Sequence, residues 1–339
     1  MLCNHKLTVQ ESVNQVKIFH GKLDHNTPHI KEYNYCFDLK WIKIVSEFED
    51  KGVAYYFSLQ EGEDYCFYSF IKREIQAIED IVYYDIISPF DYGGMVYSDN
   101  KLLEKFFRQF NHYCKKENIV SEFIRFCPSH TFNMDIINKY MHVSKVNDLI
   151  YIDLTNDFYQ QYNKGRKSDI NTIKKINYNI QTVDIISFYT LYCETMNRNK
   201  ANEYFYFNIN SLKKILDNSF GRIFGIFIEG KLLSSIFIID YNDISYYFLS
   251  SSSSNQLSLS ANAMLLHEVA NILKEEKKKM FFLGGGREGV YNFKKYFSKE
   301  RIAYYIGCKI HNNKIYKELV DSTNREGNDF FPQYREKII

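Results

Sequence analysis

The stretch FFLGGGREGVYNFKKYFS, from Phe281 to Ser298, says most about the fold of this chain. An apolar strand ends in three consecutive glycines, and an amphipathic helix that carries a Phe-Lys pair follows at once. Glycines at the end of a buried strand leave the backbone without side chains, so another molecule can approach the main chain closely. A plain tight turn explains Gly284, Gly285 and Gly286 equally well, and the glycines alone leave both interpretations open.

The bulk properties indicate a folded protein of two domains. The chain has 339 residues, which is long for a protein with a single hydrophobic core. Its content of 45% hydrophobic and 25% charged residues is typical of globular proteins. The net charge of +2 gives no strong overall field, so the composition does not indicate a DNA-binding protein, although a local basic patch is compatible with it.

Cysteine, histidine and hydropathy patterns exclude several classes. The seven cysteines are scattered without a CxxC pair, which favours reduced thiols and a cytoplasmic location over a disulfide framework or a zinc site. The nine histidines show no HExxH or HxH spacing, so we expect no metal site. The N-terminus lacks the apolar core of a signal peptide, and no apolar run approaches the ~20 residues that span a bilayer, so we expect no integral membrane contact.

An order of strand, loop, helix and strand occurs twice along the chain. The first copy begins near Tyr83 and the second near Ile244. Duplication of an α/β unit is the simplest explanation. The sequence therefore predicts two domains, 1–150 and 151–339, that meet near Asn147 to Asp157. Strand hairpins are expected over Gly52–Ile75 and Arg222–Ser253, because alternating apolar residues flank short Gly and Asn turns.

The loop between strand and helix is a candidate anion site in both copies. In the second copy Ser254, Asn255, Ser258 and Ser260 surround a helix N-terminus, whose free N–H groups and dipole suit a pyrophosphate. Simple N-capping by one serine explains the same residues. In the first copy Asp91-Tyr92-Gly93-Gly94 provides open backbone and an aromatic face, or only a β-turn.

A basic segment opens the second half. Its cations suit the phosphates of a nucleotide-linked substrate or of RNA, but a solvated helix face is the usual outcome of such a run. A helix is predicted over Phe158–Ile176, and a second helix ends in Glu194, Asn197 and Arg198, which either line a cleft or cap the helix. The charged residues of the first helix are Lys164, Arg166, Lys167, Lys174 and Lys175, with Asp169 as the one acid.

Taken together these motifs resemble one family. The run Leu283 to Gly286, followed by Tyr291, Phe293-Lys294 and Phe297-Ser298, is similar to the C-terminal signature of GNAT-fold acyltransferases related to the Fem peptidoglycan-bridge aminoacyltransferases. The match continues in order over residues 83–335, through Ser88 to Gly94, Ile124 to Pro128, Arg166 to Ile170, Tyr192 to Ala201, Leu249 to Leu265 and Phe331 to Arg335.

The chain departs from the family pattern in several places. Phe90-Asp91 and Met95 replace residues of the family's first loop, and Cys127 stands where histidine is common. No long helical hairpin is inserted, unlike in several bridge enzymes that grip tRNA, which makes an aminoacyl-tRNA donor less expected.

The resemblance implies a mixed α/β fold of two tandem GNAT-like domains with the active cleft between them. It implies a bacterial, cytoplasmic N-acyltransferase whose donor is acyl-CoA, foremost acetyl-CoA. The acceptor would be an amine, above all an amino sugar of a cell-surface polysaccharide pathway, in free or nucleotide-linked form. An aminoacyl-tRNA-dependent transferase of cell-wall or glycan modification is the first alternative, and a GNAT-like binding module without catalysis is the second.

Site residues follow from the same resemblance. The catalytic candidates are Glu194 and Glu288 as base and Tyr291 and Tyr296 as proton donor. The donor would contact Leu249, Ser250, Ser258, Ser260, Ala261, Asn262, Leu283, Gly284 and Gly285. The acceptor would contact Asp91, Tyr92, Gly93, Gly94, Arg125, Arg166, Asn197, Arg198 and Lys294.

Overall fold

The structure is a computed structural model that describes residues 9–13, 16–24, 27, 34–49, 52–78, 80–255, 258–323 and 330–335. It divides into two compact units. Unit 1 comprises Met1–Asn147 and Tyr304–Ile339, and unit 2 comprises Asp148–Ala303.

Both units contain several strands. In chain order they are β1 (Val9–Val13), β2 (Val16–Lys22), β3 (Val53–Glu61), β4 (Asp64–Ile78), β5 (Ile81–Ile87), β6 (Gly94–Tyr97), β7 (Ile119–Arg125), β8 (His142–Asp153), β9 (Tyr178–Thr182), β10 (Gly221–Ile228), β11 (Lys231–Tyr241), β12 (Ile244–Ser252), β13 (Met280–Gly284) and β14 (Arg301–Ile310).

Helices cover the faces of the strands. They are α1 (Leu39–Val45), α2 (Asn100–Lys116), α3 (Met134–Asn138), α4 (Lys164–Ile173), α5 (Ile185–Arg198), α6 (Ile209–Asp217), α7 (Ser258–Glu275), α8 (Glu288–Lys294) and α9 (Asn313–Thr323). Short 3-10 turns occur at Tyr35–Phe37, Ser46–Phe48, Phe158–Gln161 and Glu203–Phe205.

Unit 1 contains a mixed sheet in the order β1-β2-β3-β4-β5-β7-β14. The pairs are antiparallel except β5 with β7, which are parallel and joined through α2. The short strand β6 pairs with the first part of the long β4. Helix α2, which is rich in aromatic residues, covers one face of this sheet. Its Phe106, Phe110 and Tyr113 pack on Phe57 of β3.

Unit 2 repeats this arrangement. Its strands follow the order β8-β13-β12-β11-β10-β9, and the parallel pair β12 and β13 is joined through α7. Alanine, leucine and methionine side chains of α7 are fully buried against β10, β11 and β13. No helix among the described residues is long and apolar enough to cross a membrane.

The predicted hairpins form where the sequence indicates them. Glu61 pairs with Asp64 across a two-residue turn, and Ile228 pairs with Lys231 in the same way. Gly62 and Gly230 adopt φ of +64° and +75°, the left-handed conformation that such turns require. The local sequence is sufficient here because the turn chemistry is local.

Two predicted boundaries differ from the structure. The helix expected over Phe158–Ile176 starts only at Lys164, because the Asn163 side chain caps it by accepting from the Arg166 N–H at 2.8 Å. The sequence assigns residues from 304 onward to the second domain, whereas the structure places them in unit 1. There β14 pairs with β7 from Ile306 to Ile310, and side chains of α9 pack around Val120.

Candidate functional site

The main irregularity of unit 2 lies between β12 and β13. The two parallel strands pair only from Ile244↔Met280 to Tyr246↔Phe282. However, β12 continues to Ser252 and β13 continues to Gly284. The strands therefore part after three paired positions, and we call the opening between Tyr247–Ser252 and Leu283–Gly285 the strand gap.

A β-bulge bends each strand where the gap begins. On β12, Tyr247 pairs with Ile238 and Leu249 with Phe237, so Phe248 is an extra residue. On β13, the register against β8 shifts between Phe282 and Gly284, which makes Leu283 the extra residue. Bulges bend a strand and increase its local twist. The paired bulges on the two strands therefore account for the gap.

The glycine run forms the turn that leaves β13. Gly284 and Gly286 have φ of +71° and +130°, a region that favours glycine. A Cβ at Gly286 would lie 2.8 Å from a methyl carbon of Val290. The turn itself thus explains two of the three glycines. The Gly285 carbonyl oxygen accepts a hydrogen bond from the Lys294 ammonium at 3.0 Å.

Lys294 places a buried positive charge at the rim of the strand gap. The residue is only 6% exposed, and its Nζ lies 4.5 Å from the ring centroid of Tyr247. Tyr247 is the first residue of β12 beyond the paired positions. Burial raises the pKa of Tyr247 to about 12, although hydrogen bonds with Ser250 and Asn262 act in the opposite direction. The phenol is therefore neutral at physiological pH.

A second group of contacts joins α4, α7 and α8. The Ser260 hydroxyl donates to Asp169 Oδ1 at 3.2 Å, and Asp169 Oδ2 lies 3.2 Å from Arg166 Nη1. The Arg166 guanidinium lies over the rings of Phe293 and Phe297, at 4.8 and 5.8 Å. Burial lowers the pKa of Arg166, and the Asp169 charge opposes that shift. Arg166 thus fixes α8 beside the start of α7.

Helix α5 holds the end of β12. The Thr195 hydroxyl donates to the Ser252 carbonyl at 3.0 Å and lies 2.9 Å from the Ser252 N–H. Arg198 Nη2 donates to the same carbonyl at 2.8 Å and to the Ser252 hydroxyl at 3.0 Å. Asn197 accepts from the Tyr206 hydroxyl at 2.7 Å. Arg198 and Asn197 therefore have internal partners.

The four predicted catalytic side chains lie on the elements next to the gap. Glu194 is exposed on α5, the helix bound to the end of β12, and Glu288 is exposed in the first turn of α8, just after β13. Tyr291 is partly buried against the core of unit 2, whereas Tyr296 is 38% exposed. Each strand bordering the gap thus has one carboxylate on a neighbouring element.

The residues predicted to bind the donor gather around the gap. Leu249 and Ser250 lie on β12, and Ser260, Ala261 and Asn262 lie in the first turns of α7. Ala261 and Leu283 are fully buried in the core of unit 2. Ser258 lies in α7, but its side chain is outside the described part.

The equivalent position in unit 1 is closed. Strands β5 and β7 pair to Ile87↔Phe123, and hydrogen bonds continue beyond them. The Ser88 N–H donates to the Phe123 carbonyl at 3.0 Å, the Arg125 N–H to the Ser88 hydroxyl at 3.0 Å, and the Gly93 N–H to the Arg125 carbonyl at 2.8 Å. No comparable gap therefore separates these two strands.

The predicted acceptor residues of this closed region have partners within unit 1. Asp91 accepts from the Tyr35 hydroxyl at 2.8 Å, and Arg125 Nη2 pairs with Glu49 at 2.6 Å. The Tyr92 ring packs edge-on against Tyr304, and Gly94 pairs with Ser69 of β4.

Sequence reasoning missed Tyr247. The run Tyr246–Leu249 is apolar without alternation, which interrupts the period of two expected of a half-buried strand. That interruption was the available signal for the bulge on β12.

The basic face of α4 is a charged surface feature of unit 2. It forms a shallow depression of about 330 Å³ lined by Lys164, Lys167, Ser168, Asn171, Thr172 and Lys175. Among the described residues, no group of three or more His, Cys, Asp or Glu side chains could hold a metal ion.

Solved structures share this architecture at low sequence identity. The chain is similar to FemX, with a TM-score of 0.64 and 11% identity over 82% of this chain and 92% of that one. It is also similar to the C-terminal domain of a putative lysylphosphatidylglycerol synthetase from Agrobacterium fabrum, with a TM-score of 0.51 and 13% identity over 76% and 84% of the two chains. A protein of unknown function from Bacteroides thetaiotaomicron gives 0.53 and 12% over 79% and 90%.

No family model and no curated protein matches the sequence. At sequence identities of 11–13%, the structural similarity shows a shared fold alone. The chain has a mixed α/β fold in two units and shares that fold with FemX, in agreement with the Fem-related fold that its sequence motifs predict.

Proposed function

We propose that the chain is an acyltransferase that moves an acyl group from an activated donor to an amine at the strand gap of unit 2. The observation that carries the proposal is the gap itself, where two bulged parallel strands part after three paired positions. Unpaired strand edges offer backbone N–H and C=O groups to a ligand. The donor's narrow acyl-bearing arm would lie between them.

The chemistry needs three groups, and the described residues supply candidates for each. Attack of the amine on the carbonyl develops negative charge on its oxygen, which the buried Lys294 ammonium at the rim would stabilise. Glu194 or Glu288 would take the proton of the attacking amine. Tyr291 or Tyr296 would donate a proton to the leaving group as the bond between the acyl carbon and that group breaks.

Acyl-CoA, foremost acetyl-CoA, is the first candidate donor. The start of α7, where Ser260 and Asn262 lie beside the gap, would receive its phosphates, and the gap would receive the pantetheine arm. The proposed acceptor is an amino sugar of a cell-surface polysaccharide, in free or nucleotide-linked form. This choice rests on the family resemblance of the sequence.

Isothermal titration with acetyl-CoA and CoA tests this donor. We expect saturable binding by the wild-type chain and its loss in Gly285→Val, because Gly285 borders the strand gap and valine adds a branched side chain at that border. Gly289→Val is the matched control, because a Cβ there meets nothing within 4 Å. Equal binding by both variants would remove the gap as the donor site. Transfer of radiolabelled acetyl from acetyl-CoA to UDP-glucosamine would then test the acceptor class.

An aminoacyl-tRNA is the second candidate donor, and the basic face of α4 favours it. The side chains that line its depression are lysines and neutral polar residues, and none of them is acidic. Such a lining suits the negatively charged phosphodiester backbone of RNA. If this candidate holds, acetyl-CoA does not bind and ribonuclease treatment of the donor fraction abolishes transfer. A folded chain that binds neither donor would instead be a binding module without catalysis.

A further inference from the structure

The Lys294 side chain ends in a site formed by two different elements. Its ammonium donates to the Gly285 carbonyl and lies over the ring of Tyr247, at 3.0 and 4.5 Å. A lysine side chain has four flexible carbons and needs fixed partners to hold one position. The carbonyl is one such partner, and the aromatic face, which attracts a cation electrostatically, is another.

Tyr247 is itself held rigidly. It sits at the bulge of β12, where its side chain packs against the core of unit 2, with its ring centroid 6.4 Å from that of Phe281. The neighbouring Phe248 packs instead on Phe207 and Phe237. The bulge thus directs the tyrosine ring toward Lys294.

We propose that Tyr247 is a positioning residue whose ring holds the Lys294 ammonium at the rim of the strand gap. Because the stabilised charge belongs to the proposed acyl transfer, the catalytic consequence rests on the proposed function. The position of the ammonium does not rest on it, and the two parts can be tested separately.

Reductive methylation with formaldehyde and cyanoborohydride measures the position without any substrate. The rate at Lys294 is read by peptide mass spectrometry against Lys295 as internal standard. In Tyr247→Met we expect Lys294 to react at least about fivefold faster, since the cation loses its aromatic partner and becomes accessible. In Tyr247→Phe, which keeps the ring, we expect a rate within about twofold of wild type.

Phe248→Met is the matched control, because it removes a ring from the opposite face of the same strand. An unchanged Lys294 rate in Tyr247→Met, or an equal increase in Phe248→Met, would overturn the proposal. If Tyr247→Met fails to fold, an NMR measurement on the wild-type protein still tests the position of the Lys294 side chain. Ring-current shielding should move the ε-methylene protons of Lys294, assigned with Lys294→Arg, upfield, and unshifted resonances would overturn the proposal.

The catalytic part has its own readout. With a donor and acceptor identified, Tyr247→Met should lower kcat while the KM for the donor stays within about twofold, because the ring positions a charge that acts in the transition state. An unchanged kcat together with faster methylation would retain the positioning role and reject Lys294 as the stabilising charge. Absence of turnover in the wild-type chain would reject the proposed function alone.

Discussion

Lys294 is the residue on which the proposed chemistry depends most. A lysine is almost never fully buried without compensation, yet this one is 6% exposed. Its described partners, the Gly285 carbonyl and the Tyr247 ring, are neutral. Both partners fix the ammonium at the rim of the strand gap, where the proposed oxyanion would form.

Lys294→Met tests this role, because methionine fills similar space without the charge. We expect kcat to fall about 10²–10³-fold with a small change in donor affinity, since the charge acts on the transition state. Lys299→Met, five residues further along the chain, is the control, because its side chain is exposed. Stopped-assay rates for both variants provide the measurement, and equal losses would contradict a specific role for Lys294.

Individual site residues were only partly predictable from sequence. Lys294, the glycines and Arg166 were found through motifs, but their partners were not. Arg125 pairs with Glu49, 76 positions away, and Arg166 stacks on Phe293. Such pairings depend on tertiary packing, and no local pattern records them. For this reason several side chains expected to bind substrate turn out to have internal partners.

At the scale of elements, the proposed function depends on the separation of β12 and β13 beyond their three paired positions. Hairpins such as β3–β4 were predictable because their turns are local. The bulges at Phe248 and Leu283 were not, because a bulge is defined by register against a partner strand. The same non-local pairing places β14 in unit 1 rather than with the preceding residues.

Thr195 is expected to stabilise the end of β12. Thr195→Val removes the hydroxyl that bonds the Ser252 backbone while nearly keeping the shape. We expect the free energy of unfolding to fall by about 1–2 kcal/mol, because buried backbone groups lose a partner. Thr190→Val on the same helix is the control, since its exposed hydroxyl bonds only the Ile186 carbonyl among its described contacts. Equal urea midpoints for the two variants would contradict the expected role.

Helix α7 carries a titratable group that ties stability to pH. His267 is buried among Phe158, Tyr159 and Tyr162, and burial first, then the Lys174 charge, lowers its pKa from 6.5 to about 4. Below about pH 6.5 the imidazole of His267 is therefore protonated in the unfolded chain but not in the folded chain. The free energy of unfolding falls as the pH decreases from about 6.5 to about 4.

We expect His267 to contribute about 2 kcal/mol to the loss of stability between about pH 7.5 and pH 5. Urea unfolding of wild type and His267→Gln at both pH values measures it. The variant should lose less stability on acidification than the wild type. An identical pH dependence of the two proteins would show that His267 does not titrate as expected.

At the scale of the whole molecule, the two units share one strand arrangement, and among the described residues the parallel strands part in unit 2 but not in unit 1. In unit 2 the parallel strands part, whereas in unit 1 Ser88 and Gly93 extend the pairing to the end of β7. Fold class and duplication followed from the order of motifs. The difference between the two units, parted strands in one and paired strands in the other, could not be predicted from the motifs, because it depends on a few hydrogen bonds.

We therefore expect one donor molecule to bind per chain. Isothermal titration with the donor that the chain accepts should give a stoichiometry near one. A value near two would show that the closed strands of unit 1 also open to receive a donor.

Hydrogen–deuterium exchange with and without donor tests the central claim most directly. The donors are acetyl-CoA and a charged tRNA. With the one that binds, backbone amides of residues 247–253 and 281–289 should become protected, while residues 84–93 and 119–127 of unit 1 stay unchanged. Protection confined to unit 1, or no protection in the strand gap with either donor, would contradict the account.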